Sequence, residues 1–139
     1  MGDVARFGVS LNKSLLKRFD DLIAKKKYVN RSEAIRDLIR DSLVENEWEE
    51  GDRIGVGIIS LVYSHDVKEL TDSLTHIQHR YFKEIISNLH IHIDEHTCLE
   101  VMVIKGKITK IKEVADRLIG TRGVIHGKLT LTTTGKDLF

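Results

Sequence analysis

Proline is absent from these 139 residues, cysteine occurs once, and aromatic side chains make up only 6 per cent. Without proline, turns must rest on glycine and on Asn and Asp. One cysteine excludes a disulfide within the chain, so a metal is the better use for that sulfur. It also agrees with a reducing cytoplasm. No apolar run approaches the roughly 18 residues that a membrane span needs; GVGIISLVY is the longest. The N-terminal residues lack the apolar core of an export signal. A cytoplasmic protein with no membrane partner is therefore expected. Hydrophobic residues at 41 per cent and charged ones at 31 per cent fit one ordinary globular domain or two small ones.

A net charge of +1 hides an asymmetry. Residues 1–40 hold ten Lys or Arg against five Asp or Glu, whereas residues 41–52 hold six acids and no base. The basic block favours a polyanion, and the acidic stretch marks a boundary. The division expected is 1–48, a short linker at 49–54, and 55–139.

The first block opens on ARFGVSL, which alternates: Phe7, Val9 and Leu11 share one face, Arg6, Gly8 and Ser10 the other. A helix is predicted from about Lys13 to Lys27, with Leu15, Leu16, Phe19, Leu22 and Ile23 as its apolar stripe. Asn30 reads as the N-cap of a second helix to about Glu47, with Glu33 completing a capping-box spacing. One strand and two helices cannot bury a sufficient core alone. A lone strand also leaves its backbone groups unpaired. Pairing with the same strand of a second chain solves both problems, and it is the ribbon-helix-helix solution. The two-stranded ribbon has the width that the DNA major groove admits. Arg6, Gly8 and Ser10 would then face base edges. Asn30, Arg31 and Ser32 would hold a phosphate through backbone N–H groups.

The second block reads β-α-β-β-α-β, the order of a ferredoxin-like or ACT-like domain, so the fold class is α+β. Strands are predicted over Gly55–Ser64, over a hairpin at 88–105 and over Val124–Thr133. Helices are predicted over Val67 to about Ile86 and Ile108–Ile119. Four residues here carry chemistry: His79, His90, His92 and Cys98, spaced H-x10-H-x-H-x5-C. On a strand, His90 and His92 share one face about 7 Å apart. Paired histidines also arise by chance on half-exposed strands, but Cys98 lies within turn distance. Three imidazoles and a thiolate form a complete set for a late first-row divalent ion. Spacing alone leaves zinc, nickel and copper open.

Strand alternation also predicts assembly. Leu89, Ile91 and Ile93, with Leu99, Val101 and Val103, are expected beneath the domain's own helices. That puts His90, His92, Cys98 and Glu100 on the uncovered face. His79, on a helix of the covered side, would then be delivered by another subunit.

NRSEAIRDLIRDSL, joined to that histidine–cysteine spacing, resembles the NikR family of nickel-responsive transcriptional regulators. The resemblance runs from Arg6 to about Lys128 and includes GVIHGKL and His65, 14 positions before His79. It implies a homotetramer, a dimer of dimers, with ribbon-helix-helix pairs flanking ACT-like domains. It implies one nickel(II) per subunit, square-planar, held by His90, His92 and Cys98 of one subunit and His79 of another. It further implies a double-stranded DNA operator and repression of nickel-uptake genes. Glu100 matches the family's supporting carboxylate and Gln78 the residue beside the helix ligand. Arg6 and Ser10 match base-contacting positions, and Gly8 departs from the hydroxyl residue often found there. Glu33 and Asp37 match a second, potassium-like cation site of the DNA-bound state. His65, His96 and His126 are left without roles, as is His76, which lies one turn from His79 and is an alternative ligand.

An enzyme is the first competitor, since a metal with an open position activates water. Four protein ligands leave no such position, and no nucleophile–base set stands out. A metal store is the second, but a store needs neither Arg6 nor the basic first block.

Overall fold

The computed structural model describes residues 3–136 and 138. The outermost bounds of the two expected domains, residues 1 and 139, therefore lie outside the described residues. The chain divides into two compact units. One takes in residues up to Val44 together with those from Gly135 onward; the other is Glu45–Thr134.

The first unit holds helix α1 (Lys13–Lys25) and most of helix α2 (Arg31–Glu47). Asn12 caps α1 by accepting from the Ser14 N–H at 2.8 Å. The helix stops because Lys27 takes a left-handed conformation, φ 67°. Its amide bonds to Ala24 and the Tyr28 amide to Ile23, which is Schellman closure. Asn30 Oδ1 then accepts from the Glu33 N–H at 2.9 Å and starts α2 as expected. Arg31 reaches back with two bonds of 2.8 Å to Asp20 on α1. Residues 3–12 form neither helix nor strand and are exposed. Phe7 (72 per cent exposed), Val9, Leu11, Leu15 and Leu38 stay open to solvent.

The second unit is a four-stranded antiparallel sheet in the order β2-β3-β1-β4. Its strands are β1 (Ile54–Ser64), β2 (Ile85–His92), β3 (Thr97–Lys107) and β4 (Val124–Thr132). Helices α3 (Lys68–Arg80) and α4 (Ile108–Ile119) connect them. The α4 face Ile108, Ile111, Val114, Ala115 and Leu118 is buried together with Ile59, Leu61, Met102 and Ile104 of the sheet. Each large aliphatic side chain so buried contributes about 1.5–3 kcal/mol. Trp48 packs beside Gly55 and Gly57, where its Cζ2 and Cη2 atoms lie 3.4 and 3.6 Å from where a Cβ would stand. The Trp48 indole N–H donates to the Thr132 carbonyl at 2.8 Å. The stretch 49–54 also bonds into this unit, through Gly51 to Thr109 and Arg53 to Ile108.

Two expectations need correction. Helix α3 ends at Arg80, not near Ile86. The Tyr81 carbonyl accepts from the Glu84 and Ile85 amides, closing a turn, and the Glu84 carbonyl then takes the Lys105 amide. Ile85 therefore joins the sheet opposite Ile104. The second correction concerns the faces of the sheet. Cys98, Glu100, Met102 and Ile104 lie on the helix-covered side and are buried. Leu89 (57 per cent exposed), Ile91 and Ile93 (54 per cent exposed) lie on the uncovered side. Strand β3 is apolar on both faces, so hydropathy alone does not set its parity. What buries Cys98 and Glu100 is that the polar atoms around them find partners there.

Candidate metal centre

Register assembles the site. Cys98 on β3 stands opposite Tyr63 on β1 and opposite His92 on β2. One step along, Glu100 stands opposite His90. His65 follows the last residue of β1, and its amide bonds to the His96 carbonyl at 3.0 Å, tying it to the hairpin tip. At that tip Asp94 Oδ1 accepts the His96 and Thr97 amides, both at 2.8 Å. Those backbone bonds hold the Asp94 carboxyl below its ordinary pKa.

Three imidazoles surround one sulfur. His65 Nδ1 lies 3.2 Å from Cys98 Sγ, His90 Nε2 3.2 Å and His92 Nδ1 3.7 Å. The donor atoms of His65, His92 and Cys98 all fall within 4.8 Å of one another. Burial pushes the Cys98 thiol above its usual pKa, and Glu100, Asp66 and Asp94 add to that. A divalent cation bound here would reverse the balance by taking the thiolate as ligand and releasing its proton. Nitrogen and sulfur donors converging on one point suit a borderline ion such as nickel, zinc or copper.

Beneath the imidazoles lies a carboxylate hub. Glu100 accepts from Tyr63 Oη at 2.6 Å, Gln78 Nε2 at 2.6 Å and Asn88 Nδ2 at 3.0 Å. Asn88 also donates to Gln78 Oε1. Burial, and then the bond to Glu100, push the Tyr63 phenol far up, so it stays a donor. His90 Nδ1 lies 3.3 Å from the same carboxylate. With that nitrogen protonated, Nε2 faces Cys98 with its lone pair free.

Of the expected ligands, the fold brings together His90, His92 and Cys98, supported by Glu100 and Gln78. It does not bring His79. That residue is exposed on the last turn of α3, and among the described residues nothing joins it to the Cys98 cluster. Successive helical residues point about 100° apart, and Gln78 already takes the inward direction. The expected ligands lie on the helix-covered face and not on the uncovered one, so His79 is set apart by its exposure on α3 and not by the face of the sheet. His65, left without a role from sequence, is the residue the fold adds. Its signal was its place at the end of a strand that pairs with the Cys98 strand. His96 bonds instead to Asp66 at 2.6 Å, and His76 and His126 are exposed.

The expected DNA-facing residues Arg6, Gly8 and Ser10 are exposed, and a Cβ on Gly8 would meet nothing within 4 Å. Asn30, Arg31 and Ser32 open α2. Asp37 accepts from Tyr28 Oη at 2.6 Å and from Arg40 at 3.3 Å. No helix among the described residues is long and apolar enough to cross a membrane.

Residues 5–45 match the ribbon-helix-helix protein family of the copG type, and residues 56–132 match the NikR C-terminal nickel-binding domain. These two parts define a metal-responsive DNA-binding regulator, not an enzyme. The chain belongs to the NikR family. Relatives named as nickel-responsive regulators include one from Thermococcus onnurineus, 57 per cent identical over 97 per cent of this chain and 98 per cent of its own length. Another, from Geotalea uraniireducens, is 56 per cent identical over 99 per cent of both chains. A third, from Caldanaerobacter subterraneus, is 56 per cent identical over 97 per cent of this chain and 88 per cent of its own. An uncharacterized protein from Thermotoga maritima shares the fold of 58 per cent of this chain, with a TM-score of 0.53 at 16 per cent identity.

Proposed function

We propose that this chain is a cytoplasmic repressor of nickel-uptake genes, loaded with one nickel ion per subunit at a site between subunits. His90, His92 and Cys98 of one chain and His79 of another are the ligands in this reading, with Glu100 and Gln78 holding them in place. The observation that carries it is the convergence of His90 and His92 on the buried Cys98 sulfur while His79 faces outward. Residues 1–48 act as the DNA-binding domain, joined by 49–54 to the metal-binding and assembly domain at 55–139. A homotetramer accounts for the apolar surface left open by one chain. Leu89, Ile91 and Ile93 need a cover on the sheet, and Phe7, Val9 and Leu11 need a second ribbon. A second, potassium-like cation at Glu33 and Asp37 in the DNA-bound state requires Asp37 to give up Tyr28 or Arg40.

Gel-shift with a duplex from an upstream region of a nickel-uptake gene tests the reading. Wild-type protein should retard it with nickel and release it when a chelator is added. Binding that is indifferent to nickel would overturn metal-dependent repression.

The supporting carboxylate gives a graded result. Glu100→Gln keeps the shape but turns an NH2 group toward the Gln78 or Asn88 donors and removes the charge that orients His90. Loss of such outer partners typically costs about 10–100-fold in metal affinity. Competition titration against a calibrated chelator should show that loss with the fold intact by circular dichroism. Unchanged affinity would leave Glu100 without a part in holding the site.

A further inference from the structure

We propose that Asn88 is a positioning residue of the metal centre: its side-chain amide clamps the Glu100 carboxylate and the Gln78 amide in the orientation that holds His90. The inference rests on the nickel-binding reading of the centre and adds a residue to it. Strand alternation puts Asn88 on the same side of β2 as His90 and His92. The three stand opposite Met102, Glu100 and Cys98 of β3. Asparagine is disfavoured in strands, and β2 is an edge strand of the sheet. What Asn88 offers there is a donor. Its Nδ2 donates to Glu100 Oε2 at 3.0 Å and to Gln78 Oε1.

These bonds close a triangle across three elements, because Gln78 on α3 donates its Nε2 to the same Oε2 of Glu100 at 2.6 Å. Glu100 Oε1 is left to Tyr63 at 2.6 Å and to His90 Nδ1 at 3.3 Å. An ionised carboxylate has about four acceptor sites, so the four bonds together fill this buried group and fix its plane. Without the Asn88 amide, Oε2 keeps one donor and Gln78 Oε1 loses the partner that sets its orientation. The carboxylate can then turn away from the His90 Nδ1 proton. The ring would no longer be held with its Nε2 lone pair toward Cys98.

The test is nickel competition against a calibrated chelator with the full-length protein, comparing wild type, Asn88→Ala, Asn88→Val, Glu100→Gln and the double variant Asn88→Ala with Glu100→Gln. Asn88→Ala and Asn88→Val should each bind nickel about 10-fold more weakly, the low end for an outer partner of a ligand. Valine favours strands, so a residue that only supported β2 would lose nothing by that change. In the Glu100→Gln background, Asn88→Ala should cost nothing further, because the clamp is already broken. Nitrogen NMR spectra of the histidine rings in the metal-free protein should show His90 protonated at Nδ1, and both tautomers in Asn88→Val. Wild-type affinity in Asn88→Val, or an equal loss from Asn88→Ala in both backgrounds, would overturn this proposal alone. A wild-type protein that takes up no nickel would overturn the nickel-binding reading and this proposal together.

Discussion

Refolding His79→Ala together with Cys98→Ala is expected to restore part of the tight nickel binding that neither variant has by itself. Each variant alone lacks one ligand at every site. In a mixed interface, the His79→Ala chain supplies His90, His92 and Cys98, while the Cys98→Ala chain supplies an intact His79. That site is whole, and its counterpart across the interface lacks two ligands. Recovery should appear as a thiolate-to-nickel charge-transfer band and as high-affinity sites in titration. The Cys98→Ala parent lacks that band because it has no sulfur. The alternative is visible in the fold: His65 Nδ1 is already 3.2 Å from Cys98 Sγ, so one chain could complete a four-donor set with His65. In that case His79→Ala alone would keep full affinity, and mixing would add nothing. Verified mixed oligomers without recovery would sink the inter-subunit site.

Arg6→Ala should abolish discrimination between operator and unrelated DNA while nickel binding stays at the wild-type level. Arg6 is exposed and free for a guanine edge. Losing one bidentate base contact costs about 1–3 kcal/mol, and a paired ribbon presents Arg6 twice. The expected loss of specificity is thus the product of two such factors. Nickel titration should be unmoved because the ligands lie in the other compact unit. Operator affinity equal to wild type would show that Arg6 does not read the bases. Loss of a phosphate contact would weaken all sequences alike, whereas loss of a base contact weakens only the right one.

Much of this was legible in the chain itself. Asn30 and Glu33 announced the start of α2, and the Ile108–Ile119 stripe announced α4, because caps and helical period are local properties. The order of strands and helices in the second unit followed from alternating periods. The spacing of His90, His92 and Cys98 placed three donors on one hairpin, since strand geometry fixes which neighbours share a face.

What escaped the sequence was whatever depends on the other side of a contact. The parity of the sheet could not be read from β3, where Leu99, Val101 and Val103 are as apolar as Met102 and Ile104. It was decided by Tyr63, Gln78 and Asn88, which give the Glu100 carboxylate its partners only on the helix-covered side. The end of α3 was decided by the demand of Glu84 and Ile85 for pairing on β3. His65 entered the site because antiparallel register sets the end of β1 against the start of β3, a juxtaposition of residues 33 apart in the chain. Local periodicity determines the elements and the donors one hairpin can offer. Only tertiary packing decides which face those donors occupy and which distant histidine meets them, because burial of a carboxylate and a thiol is tolerated only where their hydrogen bonds are met.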